Sequence, residues 1–159
     1  MFRRIAVATA LLLCCTITVS TITNSEILSL RELSRASFLH AYDSYMSHGF
    51  PFDELQPLTC KPRRHDQRTR GTLDDVLGGY MLTLVDSLDA LLVLGEYSRF
   101  NIALTHLTKL NFNRDVKVSV FEVNIRMIGG LLSAHQLALR LYPLVSYDGV
   151  MLLDLAEAL

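Results

Sequence analysis

The 159-residue chain has the length of about one domain; half of its residues are hydrophobic and its formal net charge is -1. That balance excludes a disordered chain and gives no electrostatic basis for a nucleic-acid partner. Eight glycines, four prolines and no tryptophan favour an all-α fold over a many-turned β fold.

The chain opens on "MFRR", a short basic segment, followed by the apolar run "IAVATALLLCCTITV" and the small residues of "STIT". The apolar run is roughly fifteen residues, short of the ~20 that span a bilayer. Residues 1–24 are therefore expected to be a signal peptide that directs the chain into the secretory pathway. An uncleaved leader would leave the protein anchored to a membrane. Cys14 and Cys15 lie in this leader, so Cys60 is the one thiol left in residues 25–159. A lone cysteine in an oxidising compartment predicts a disulfide to another protein or to sequence beyond this chain. No N-x-[ST] sequon occurs.

A first helix is expected from about Ser25 to His48, with Leu30, Leu33, Phe38, Ala41, Tyr42 and Tyr45 at near-helical spacing. Gly49 and Pro51 end it. "PFDELQPLTC" reads as an ordered turn between prolines, and the basic stretch "KPRRHDQRTRG" as a solvated loop. A second helix is expected from about Leu73 to Leu94. Leu84, Val85, Leu88, Leu91 and Leu92 form its apolar face, Thr83, Asp86, Ser87 and Ala90 a polar stripe, and Gly95 its C-terminal cap. Ser98 would cap a third helix that buries Phe100, Leu104, Leu107 and Leu110. "NRDVKVSV" alternates and reads as extended. A fourth helix is expected from Val120 to about Leu141, and a fifth begins in "YDGVMLLDLAEAL", whose pattern reaches Leu159 without a capping signal. Short connections between these helices suggest αα-hairpins.

The fourth helix carries the informative pattern. Phe121, Ile125, Ile128 and Leu132 share one face, and Val123, Met127, Leu131 and Ala134 another. Both are apolar, so burial on two sides is expected. Between them run Glu122, Arg126, Gly129 and Ser133. A charge on such a helix is costly unless it is paired or faces a polar cavity. The pattern alone reads first as a structural ion pair; Gly129 and Gly130 argue instead for a site where they make room for a ligand. Asp86 and Asp89 on the second helix, and Asp53 and Glu54 in the turn, are further carboxylates that could converge on it. Convergent carboxylates are what glycoside hydrolysis requires, one as acid and one as base. His40, His48, His65, His106 and His135 show no metal-ligand spacing.

"FLHAYDSYMSHGFPFDELQPLTC", "LTLVDSLDALLVLG" and "VFEVNIRMIGGLLSAH" together resemble class I α-1,2-mannosidases, glycoside hydrolase family 47. "PLTC" and "YDG…LLDLAE" point to its branch of endoplasmic-reticulum degradation-enhancing α-mannosidase-like proteins. The resemblance implies the N-terminal hairpins of an (α/α)7 barrel over residues 25–159, incomplete in this chain. It implies an inverting hydrolase that trims α-1,2-linked mannose from N-linked glycans of misfolded glycoproteins in the endoplasmic reticulum. It makes Glu122 the proton donor and Arg126 a sugar-site residue, and assigns Asp53, Glu54, Asp86 and Asp89 to substrate binding. It also implies Ca²⁺, whose ligands, like the second catalytic carboxylate, belong to a later region of the family. The chain by itself is expected to be inactive. The alternatives are a non-catalytic module that binds misfolded clients or, through Cys60, a lumenal redox partner, and a non-functional gene-model fragment.

Overall fold

The computed structural model describes residues 22–64 and 78–159. The expected leader, up to residue 21, most of the basic stretch and the expected start of the second helix lie outside the described residues. The chain separates into two units, residues 1–34 and 35–159.

In the first unit, Thr23 and Glu26 form a reciprocal cap. The Glu26 carboxylate accepts from the Thr23 N–H at 2.8 Å, and the Glu26 N–H donates to the Thr23 hydroxyl at 3.2 Å. This satisfies donors that a helix start would leave open. Helix α1 (Asn24–His48) begins here and continues into the second unit. Leu30 and Leu33, expected on its apolar face, are exposed, because helical spacing does not by itself supply a surface to pack against.

In the second unit α1 buries Tyr42 and Tyr45, and Phe38 stacks on Tyr42 with ring centroids 6.0 Å apart. Ala41 is exposed, against expectation. The turn between the prolines carries a short antiparallel ladder, β1 (Leu55–Gln56) with β2 (Lys61–Pro62). Helix α2 (Leu82–Val93) lies within the expected second helix, whose described residues before Leu82 are not helical: Gly78, Gly79 and Tyr80 form a bend and Met81 has a φ of 57°. Its expected apolar face, Leu84, Val85, Leu88, Leu91 and Leu92, is buried throughout. Gly95 ends it as predicted. With φ of 77° it sends its N–H to the Leu92 carbonyl, while Glu96 N–H reaches Leu91.

Helix α3 (Tyr97–Leu107) starts before Ser98, the expected cap. Glu96 takes the cap position directly after the Gly95 turn, and the Phe100 N–H finds its carbonyl at 3.0 Å. The Glu96 side chain is buried and accepts from Arg35 of α1 and from Arg99, whose guanidinium also grips Asp43 at 2.9 and 3.1 Å. These pairs tie α1 to α3. "NRDVKVSV" forms no strand before α4 (Val120–Glu122), so its alternation finds no ladder partner.

Residues 120–140 form one continuous helical path: α4, a π-helical segment Val123–Ile128, and α5 (Gly129–Arg140). Met127, Leu131, Ala134 and Ala138 enter the core. Phe121, Ile125 and Leu132 do not; all three are exposed, so the helix is buried on one side rather than two. Helix α6 (Met151–Glu157) folds back against α5. Helices α2 and α5 pack together and run in the same direction, since Asp86 meets Arg126 and Asp89 meets Ser133. Like-directed helices joined through an intervening return helix are the αα-hairpin succession that the short connections predict.

Candidate functional site

The α2–α5 contact carries a polar seam beside its leucine core. Arg126 donates from Nε and Nη2 to one oxygen of Asp86, at 2.8 and 2.6 Å. Its Nη1 stands 3.7 Å from a Glu122 carboxylate oxygen. The side chains of Glu122, Arg126 and Asp86 keep 27%, 32% and 31% of their exposure, so a solute can reach all three. In such half-open surroundings the ion pairs contribute about 1 kcal/mol or less, and their greater effect is to hold the guanidinium in one orientation. One turn further along α2, Asp89 accepts from the Ser133 hydroxyl at 2.9 Å. Sequence spacing placed Ser133 on the stripe of Glu122 and Arg126, but its partner on α2 is visible only in the fold.

Of the predicted site residues, Glu122, Arg126, Asp86 and Asp89 are brought together on this seam. Asp53 is placed elsewhere. It is 3% exposed, and its carboxylate accepts the N–H groups of Gly79 at 2.7 Å and Leu82 at 3.1 Å, while its carbonyl takes the Thr83 N–H and hydroxyl. That is the position of a cap on the start of α2, where a carboxylate also meets the positive end of the helix dipole. Glu54 pairs with Arg63 at 3.1 Å and, with Cys60, His40, Ser44 and Thr83, lines a cavity of about 560 Å³ between α1 and the hairpin. Cys60 is a free, exposed thiol.

The two glycines after Arg126 act differently from each other. A Cβ on Gly130 would stand 3.2 Å from Val85 Cγ1 and 3.3 Å from the Val85 carbonyl oxygen. Gly130 therefore lets α5 approach the backbone of α2, rather than opening space for a ligand. Gly129 meets only the Asn124 carbonyl, at 3.5 Å. The π segment that follows Glu122 and contains Arg126 has no composition signal in "VNIRMI" and was not legible beforehand. Such segments often sit at functional sites, because the wider turn re-phases the side chains on either side of it.

Among the described residues, no three His, Cys, Asp or Glu side chains converge to hold a metal ion. Asp86 is taken up by a guanidinium and Asp53 by backbone N–H groups. The described carboxylates therefore do not fit a calcium site of their own.

The family model of glycosyl hydrolase family 47 matches residues 37–159. The chain is 51% identical over 106 residues to "ER degradation-enhancing alpha-mannosidase-like protein 3" of Homo sapiens, a match that covers 65% of this chain and 11% of that protein. It is 46% identical over 120 residues to "ER degradation-enhancing alpha-mannosidase-like protein 1" of Schizosaccharomyces pombe, covering 74% of this chain and 15% of that protein. To "Alpha-mannosidase I MNS4" of Arabidopsis thaliana it is 47% identical over 114 residues, covering 71% of this chain and 16% of the relative.

Proposed function

Because this chain belongs to glycosyl hydrolase family 47, we propose that it carries the proton-donating part of an α-mannosidase that trims N-linked high-mannose glycans on misfolded glycoproteins in the endoplasmic reticulum. Relatives named for endoplasmic-reticulum degradation and for α-mannosidase support the substrate and the compartment. The observation that carries the residue assignment is the seam itself: Glu122 stands beside an arginine that a carboxylate of the next helix holds in place.

The chemistry follows from these groups. Cleavage of a glycosidic bond leaves an alkoxide unless the departing oxygen receives a proton, and Glu122 is the group to deliver it. Arg126, tethered through two N–H groups, has Nη1 left on the Glu122 side to orient a sugar hydroxyl. Asp86 accepts both of the other guanidinium bonds, which makes it a positioning residue and a poor candidate for the base. An inverting reaction sets its base roughly 6.5–9.5 Å from the acid, with water between them. We assign that base, and the oxygens that would hold Ca²⁺, to residues other than the described ones. No step here is routed through the metal; when bound, it would supply positive charge to polarise sugar oxygens. The exposed Cys60 thiol is offered to a disulfide of a lumenal partner: exchange breaks the partner's S–S bond, joins Cys60 to one of its sulfurs and releases the other as a thiol, and Cys60→Ser would abolish the adduct on a non-reducing gel. An unchanged adduct in that variant excludes this role.

The experiment is release of mannose from an α-1,2-linked oligomannose glycan by the family-length protein carrying Glu122→Gln. The expected outcome is a fall in kcat of about 10²-fold or more. The 159-residue chain alone is expected to release none. Unchanged mannose release by Glu122→Gln would refute the acid assignment and leave recognition without hydrolysis as the reading.

A further inference from the structure

At the end of the α5 helix away from Glu122, the chain turns through residues 141–150 and leaves a cleft against α3. Its volume is about 540 Å³. Asn101, Thr105 and Thr108 line it from α3 and its end, and Tyr142, Ser146 and Asp148 from the turn. Leu104, Val145 and Met151 close its floor. Glu122 and Arg140 lie roughly 25 Å apart along the helix at its usual rise, so this cleft is separate from the seam.

The polar groups of the cleft have a particular character. The Thr105 hydroxyl donates to the Ile102 carbonyl at 2.7 Å, and the Thr108 hydroxyl to the Thr105 carbonyl at 2.9 Å. With their protons directed into the helix, both oxygens present lone pairs outward. Asn101 accepts the Ser146 N–H through Oδ1 at 3.0 Å, which leaves its NH₂ as a donor. Asp148 accepts the Val150 and Met151 N–H groups through Oδ1, at 3.0 and 3.1 Å, and a carboxylate has acceptor capacity beyond two bonds. Tyr142 offers an aromatic ring that is 74% exposed.

No lysine or arginine lines the cleft, and its one ionisable acid is Asp148. An anionic ligand would meet a carboxylate with no compensating cation. A purely apolar ligand would cover the remaining lone pairs of the hydroxyls and the carboxylate and the Asn101 NH₂ without pairing them. What fits acceptors, a donor and an aromatic face together is a neutral ring with several hydroxyls and one flat face of C–H groups.

We propose that this cleft is a pyranose-binding site, distinct from the Glu122 seam, with Tyr142 as the stacking surface and Thr105, Asn101 and Asp148 as hydroxyl partners. Its occupant is a sugar residue, free or at the end of a glycan chain. The site goes beyond the hydrolytic reading and does not depend on it.

The test is a titration of the 159-residue chain with methyl α-D-mannopyranoside and, in parallel, sodium sulfate, followed by backbone amide NMR. Expected are shifts at Thr105, Ser146 and Asp148 that saturate at millimolar glycoside, with none from sulfate. Tyr142→Ala and Thr105→Val, both at exposed positions, should each raise the dissociation constant by about fivefold or more while the remaining spectrum is unchanged. Any of these results would overturn the proposal: no shifts at these amides up to about 50 mM glycoside, equal shifts from sulfate, or shifts that survive both variants. Glycoside shifts confined to Asp86, Arg126 and Ser133 would also overturn it, while supporting the seam as the sugar site.

Discussion

Asp53 is buried with both carboxyl oxygens satisfied, since the backbone N–H groups of Gly79 and Leu82 donate to them. Hydrogen bonds to an ionised group contribute more than neutral ones, and a donor stranded by their loss cannot turn to water. Asp53→Ala is expected to lower unfolding stability by roughly 2–4 kcal/mol, read as a shift in the urea midpoint. Asp53→Asn, which keeps one acceptor, should lose less. A loss under about 0.5 kcal/mol in the alanine variant would show that the cap contributes little. At this scale the sequence was only partly legible. Four acids were candidates for one site, and their residue type did not distinguish Asp86, which meets a guanidinium, from Asp53, which meets backbone.

The helix over residues 120–140 shows what an element adds. Its start near Val120 was readable from the apolar spacing that follows; the Ser119 hydroxyl, which accepts the Glu122 N–H at 3.4 Å, emerged as its cap only in the fold. Its two glycines read alike in sequence and differ in the fold. Gly129→Ala places a methyl where only a carbonyl lies at 3.5 Å, so it should stabilise by about 0.5–1 kcal/mol through the reduced freedom of the unfolded chain. Gly130→Val forces branched carbons against the Val85 backbone and should cost about 2 kcal/mol or more, by parting α2 from α5. Thermal unfolding of the two variants tests the difference, and equal shifts in Tm would refute the close approach as the reason for Gly130. The π segment belongs to the same scale. It depends on how the helix must phase both ends against α2, which no local propensity encodes.

Across the whole molecule, one side of this helix has its apolar residues in the core and the other has Phe121, Ile125 and Leu139 more than half exposed. An uncovered stripe of this kind on a soluble chain favours association. The 159-residue chain is expected to self-associate as its concentration rises, and Phe121→Ser with Ile125→Ser should shift it toward monomer in sedimentation velocity. A wild-type chain that stays monomeric at high concentration would show that the stripe is tolerated in water. The chain covers 11–16% of the length of the curated relatives compared above, so the full environment of this face is a property of the longer proteins.

Period, turn chemistry and motif are local, and they determined much of this protein in advance: an all-α class, the leucine face of α2, the Gly95 stop and the Glu122–Arg126 stripe. The motifs "FLHAYDSYMSHGFPFDELQPLTC", "LTLVDSLDALLVLG" and "VFEVNIRMIGGLLSAH" together indicated the family. Pairing between elements is not local, and only the tertiary structure decided it. Arg126 takes Asp86 rather than Glu122 as its close partner, Ser133 takes Asp89, and Gly130 serves helix approach rather than a ligand. Each of these depends on how α2 and α5 lie side by side, and that follows from packing their buried faces together, which spacing within either helix cannot specify.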